Sequence, residues 1–109
     1  MLKKEYRLTS GSLKNPKNFK TPFFNLKIGE NSEGFSRFAF VVSKKIDSRA
    51  TERNALKRKV RSCIEEIFDN IRLGNDFIFY PSILAKETKR SEILEEINKL
   101  FKENKLLKW

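Results

Sequence analysis

Apolar residues recur at helical spacing between Leu56 and Ile71, and this repeat constrains the fold more than any other feature of the chain. At about 100° per residue, Leu56, Val60, Ile64, Ile67 and Ile71 fall in one stripe, with Cys63 at its edge. A helix with a single apolar stripe must lay it on a second layer. Ser48 or Thr51 can N-cap this helix, which the pattern carries to about Leu73, with Gly74 placed as its C′ residue. After it, Asp76-Phe77-Ile78-Phe79-Tyr80 reads as a short, mostly apolar strand ended by Pro81. Before it, from Arg37 to Ser43, Phe38, Phe40 and Val42 alternate with Ala39, Val41 and Ser43, the pattern of a half-buried strand. Strand, helix and strand in one sheet imply a parallel crossover, and hence an α+β sandwich of two layers.

The charges on this helix are the reverse of what its dipole favours. Arg53, Lys57, Arg58, Lys59 and Arg61 fill the first half, and Glu65, Glu66 and Asp69 the second. A helix N-terminus carries partial positive charge, so each misplaced surface cation costs a few tenths of a kcal/mol, up to roughly 1 at low salt. A partner bearing phosphates explains the arrangement, because free backbone N–H groups at the same end also attract anions. Asn54, Lys57, Arg58 and Arg61 cluster on one flank of the apolar stripe. Arg53 projects toward the apolar side, reaching past the end of the sheet. The competing explanation is a solvated basic face with no ligand; the density of arginine weighs against it.

The remaining segments are simpler. Residues 1–22 are broken by Gly11, Asn15, Pro16 and Pro22 and read as mostly irregular, with Leu8, Leu13 and Phe19 available to plug the core. From Phe23 to Ile28, Phe24, Leu26 and Ile28 alternate toward a core, while Phe23, Asn25 and Lys27 face away. An aromatic, an amide and a cation on one face suit stacking on an unpaired base; Phe23 has the second reading of covering the core's edge. A turn over 29–34 makes this strand the antiparallel hairpin partner of the next. Small Ala39 and Val41 would floor a groove on the far sheet face. Ser91 can cap a last helix, whose Ile93, Leu94, Ile97, Leu100 and Phe101 pack on the sheet. Trp109, in a basic tail with Leu106 and Leu107, is open to packing back, stacking on RNA, or neither.

Composition narrows the function. The 109 residues make one domain, 1–109. Lysine and arginine outnumber acids 24 to 14, a net charge of +10 that favours a polyanion, nucleic acid first and an anionic membrane surface second. No run approaches the length of a membrane span, and the N-terminus has no apolar signal region, so no membrane partner is expected. One cysteine excludes an internal disulfide and suits a cytoplasmic location. Absence of histidine removes the usual triads and zinc sites. No catalytic or metal-ligating residues are assigned, and Cys63 reads as a small hydrophobe.

The run Ala50-x-x-Arg53-Asn54-x-Leu56-Lys57-Arg58-x-Val60-Arg61, preceded by Val42-Ser43-Lys44-Lys45, resembles the signature of the bacterial ribonuclease P protein subunit. Ala55 stands where the motif usually has a third cation. Tyr80-Pro81 replaces the family's usual Ala-Arg, and the N-terminal Asp-Phe-x-x-Val-Phe pattern is missing, so the family's N-terminal helix is expected to be shortened or absent. The resemblance implies a mixed sheet of about four strands, a basic central helix in a left-handed β-α-β crossover, and a C-terminal helix. It implies an endonuclease subunit whose chemistry belongs to a catalytic RNA with Mg²⁺, the chain itself binding no cofactor. The partners would be that RNA and the 5′ leader of precursor tRNA. By position, Arg53, Asn54, Lys57, Arg58 and Arg61 would meet RNA phosphates, with Ser43, Lys44 and Lys45 where the groove ends. Phe23, Asn25, Lys27, Ala39 and Val41 would contact the leader. The alternative is a ribosomal or other structural RNA-binding protein with no part in tRNA cleavage. An unaided nuclease would need clustered carboxylates, and the acids here are dispersed among cations.

Overall fold

The computed structural model describes residues 2–8, 13 and 15–108. Its elements are β1 (Lys17–Lys20), β2 (Phe24–Glu30), β3 (Arg37–Phe40), α1 (Ala50–Ile67), β4 (Asn75–Pro81), α2 (Ile83–Glu87) and α3 (Arg90–Glu103). The four strands form one mixed sheet in the order β1-β2-β4-β3. The pairs β1–β2 and β2–β4 are antiparallel, and β3–β4 is the parallel pair joined through α1.

This order corrects the expected hairpin. β2 lies between β1 and β4, not against β3. The physical reason is burial: Phe77, Ile78 and Phe79 of β4 are buried in succession, so both faces of that strand are covered, and such a strand belongs in the middle of the sheet. β1 falls within a stretch read as irregular. It has a single large apolar residue, Phe19, and no alternation that would mark it as a strand. The strand expected to reach Ser43 ends at Phe40, although Val41 still donates its N–H to the Phe79 carbonyl at 2.9 Å.

One sheet face carries the core. Phe24, Leu26, Ile28, Phe38, Phe77 and Phe79 meet Leu56, Val60, Ile64 and Ile67 of α1 and Ile93, Ile97 and Phe101 of α3 in one buried cluster. The aromatic rings interlock: Phe38 stacks on Phe77 at 4.9 Å between centroids, and Phe77 on Phe101 at 5.4 Å. Cys63 is buried in this cluster, where burial pushes its thiol pKa up, as expected of a small hydrophobe.

Several ends of elements differ from expectation. α1 stops at Ile67, and a 3₁₀ turn over Phe68–Asn70 follows. Ile71 is buried as its place in the stripe requires, but in extended backbone bridged to Leu107. Gly74 therefore lies beyond the helix end; its φ of +93° serves the turn into β4. The N-cap position of α1 is Arg49, with no side-chain cap from Ser48 or Thr51. α3 begins one residue before Ser91, with Lys89 at its cap position. Among the described residues before β1, the helical element is a 3₁₀ turn, Lys4–Tyr6. Leu2, overlooked in the sequence, is buried, and its N–H donates to the Glu65 carboxylate. Leu8, Leu13 and Phe19 are half-buried. Leu107 packs into the core, while Trp109 lies outside the described residues.

Candidate RNA interface

The loop from Ser43 to Arg49 and the first turns of α1 are built as one unit. Ser43, Lys44 and Lys45 are exposed, in a turn closed by the Ile46 N–H donating to the Ser43 carbonyl at 3.1 Å. Arg53 does reach past the sheet's end, where its Nη1 donates to the carbonyls of Asp47 at 3.1 Å and Ser48 at 2.8 Å. It thus holds the loop against the helix while staying half-exposed. Asn54 and Arg58 are exposed, and Lys57 is partly so. The Arg61 guanidinium lies 5.5 Å from the centre of the Phe40 ring, whose other neighbour, Phe79, is stacked at 5.5 Å. A cation over an aromatic face is held electrostatically by the ring quadrupole. This contact joins the basic flank of α1 to the β3 edge of the sheet.

Lys59, part of the same charge run, does something else. Its Nζ donates to the carbonyls of Ala85, Lys86 and Thr88 at 2.8, 3.1 and 2.9 Å. It closes the C-terminal end of α2 and straps that helix to α1. Arg90 similarly binds Ser62 and Glu66 from α3. These are structural cations, which spacing alone cannot separate from ligand-binding ones.

The loop also contains an anion. Asp47 accepts from the Nε and Nη2 of Arg49, from the Arg49 N–H, and from the Nζ of Lys86 at 2.7 Å. The Arg49 hydrogen bonds, then the Lys86 ammonium, hold its carboxyl far below the usual carboxylate range. A depressed carboxylate pKa contributes stability that is complete above the unfolded value, near about 4, and is lost as pH falls. The Arg49 guanidinium, its own pKa raised by the Asp47 hydrogen bonds, stays charged throughout that window. The urea midpoint is therefore expected to drop as pH falls below about 4, and Asp47→Asn should flatten that drop. Equal acid sensitivity in both proteins would remove the assignment.

The second sheet face holds the groove candidates. Asn25 and Lys27 are exposed, and Lys27 Nζ lies 5.7 Å from the centre of the Tyr80 ring. With Asn18 and Lys20 these residues line a shallow depression of about 470 Å³. Phe23 does not join them: it precedes β2 and packs, half-buried, against the core, the second of its two readings. Ala39 pairs with Ile78 on this face, and Val41, beyond the end of β3, is 44% exposed. Ile78 is 1% exposed yet lies outside the main cluster, so this face is covered at its centre. Tyr80, Asn18 and Lys20 were overlooked; the alternation of Ile78 and Tyr80 against Phe77 and Phe79 would have revealed Tyr80. No helix is long and apolar enough to cross a membrane among the described residues.

Comparison with known proteins agrees with this geometry. A Staphylococcus aureus RNase P protein mutant superposes with a TM-score of 0.81 at 25% identity, covering 94% of this chain and 91% of that one. The ribonuclease P protein component of Nitratiruptor is 30% identical over 92 residues, 84% of this chain and 80% of its own length. That of Synechocystis is 31% identical over 74 residues, 68% of this chain; the match spans 60% of the Synechocystis protein. The Ribonuclease P family profile matches residues 2–105. With most of the chain inside that match, and with the basic helix, loop and mixed sheet in place, the chain belongs to the Ribonuclease P family.

Proposed function

We propose that this chain is the protein subunit of ribonuclease P, acting as one domain in the cytoplasm. It binds the catalytic RNA and the 5′ leader of precursor tRNA and so promotes endonucleolytic maturation of the tRNA 5′ end. The observation that carries this reading is the cationic flank of α1, locked to the Ser43–Arg49 loop by Arg53, in a chain of this family. Lys44, Lys45, Lys57, Arg58 and Arg61 meet phosphates with Ser43 and Asn54 beside them, a mode that gives affinity without reading sequence. On the second face, Asn25, Lys27 and Tyr80 receive leader nucleotides by hydrogen bonding, charge and stacking, with Val41 exposed beyond the end of β3. Phe23, turned to the core, contributes least. The Asp47 carboxylate inside this interface is already taken up by Arg49 and Lys86, and the Mg²⁺ of the reaction would be held by RNA phosphates. The protein positions and neutralises; the hydrolysis belongs to the RNA.

The test is cleavage of precursor tRNA at low Mg²⁺ by the cognate catalytic RNA, with and without this protein. Stimulation that requires the RNA is expected. Tight RNA binding without stimulation would move the protein to a structural RNA-binding role, and cleavage by the protein alone would refute RNA catalysis. In the same assay Arg58→Ala should weaken RNA binding about three- to tenfold, with a melting temperature within about 2 °C of the parent. Arg53→Ala should lose binding and stability together, because it also frees two loop carbonyls. A melting temperature lowered by Arg58→Ala at unchanged affinity would contradict the phosphate role.

A further inference from the structure

An acidic residue inside an interface for a polyanion should weaken binding, yet Asp47 lies at the centre of this one. Its side chain is only 6% exposed, while that of Arg49, which it grips, is 65% exposed. The grip uses one edge of the guanidinium: Nε donates to Oδ1 at 3.1 Å and Nη2 to Oδ2 at 3.0 Å. The planar fork is thereby fixed, leaving Nη1 outside the grip of Asp47 and in a long ion pair of 3.9 Å with the exposed Glu52 carboxylate. Arg49 occupies the N-cap position of α1, where the unpaired N–H groups of the first turn add to the positive field. From the other side Lys86 reaches Asp47, and Lys86 is itself held in place because Lys59 straps α2 to α1. One buried carboxylate thus gathers two cations from separate parts of the chain beside Arg53, which binds the Asp47 carbonyl.

We propose that Asp47 is a positioning residue for RNA binding and that Arg49, held by it, is a phosphate-contacting residue; this rests on the RNA-binding role argued above. A preset guanidinium loses little side-chain freedom on binding, so the contact is stronger than that of a free surface arginine. The contribution outweighs the unfavourable charge of Asp47 itself, which is already neutralised by its two partners.

The experiment measures affinity for the ribonuclease P RNA across a salt series for the parent, Asp47→Asn, Arg49→Met and the double variant. Asp47→Asn should bind about tenfold more weakly although it makes the protein more positive. Its slope of log affinity against log salt should be shallower by about one phosphate contact, which a loss of stability alone would not change. Arg49→Met should show the same two effects, and the double variant should be no weaker than Arg49→Met. Equal or tighter binding by Asp47→Asn, or additive losses, would overturn the proposal. Should Asp47→Asn fail to fold, Arg49→Met decides: unchanged affinity and slope overturn it, and weaker binding with a shallower slope supports it. A parent protein that does not bind this RNA overturns the functional reading and this proposal together. Parent binding with Arg49→Met unaffected overturns this proposal alone.

Discussion

Raising monovalent salt from 50 to 200 mM is expected to weaken binding of the ribonuclease P RNA by a factor on the order of 10³. The argument is one of counterions. Each phosphate neutralised by lysine or arginine releases condensed cations, and about six such contacts are enough for a loss of that size. Lys44, Lys45, Arg53, Lys57, Arg58 and Arg61 supply them; the first three stand at or beside the N-terminal end of α1 and the others follow along the helix. The net charge of +10 adds long-range attraction, which salt also screens. A filter-binding series over that range checks it. Affinity that hardly changes would mean that base stacking on the second face dominates, and the basic flank would revert to a solvated surface.

Phe77→Ala is expected to remove a large share of the protein's folding stability, about 3–5 kcal/mol. Phe77 is fully buried, stacked between Phe38 and Phe101, so truncation opens a cavity bordered by a neighbouring strand and by α3. The lost ring pairs add about 0.5–1.5 kcal/mol each to the burial term. Domains of this size have about 5–15 kcal/mol in total. The urea midpoint should therefore fall in proportion to that loss. A loss under about 1 kcal/mol would show that α3 and the sheet close over the gap.

The basic helix, the crossover and the inward residues of β2 were legible because each rests on local periodicity. Leu56, Val60 and Ile64 recur at 3.6, and Phe24, Leu26 and Ile28 at 2, whatever lies elsewhere. Strand order was not legible. A turn of polar residues between two alternating segments is the same string whether the strands pair with each other or admit a third between them. Here β4 enters because its apolar residues run continuously and need cover on both faces. β1 was hidden for a related reason: Lys17, Asn18 and Lys20 are exposed, and backbone pairing to β2 alone makes this edge a strand.

The same division runs through the interface. Sequence by itself determined that this chain carries a basic helix on a small α+β scaffold, that its charge favours a polyanionic partner, and which family it resembles, since charge, period and motif are properties of neighbouring residues. Only the tertiary structure decided which cations are free to bind. Lys59 is bound by carbonyls of α2, Arg53 divides its donors between loop and solvent, and Arg61 rests on Phe40. Asp47 joins Arg49 to Lys86 across the fold. A lysine's role depends on what stands within about 3 Å of its nitrogen, and that distance is set by packing between segments remote in sequence.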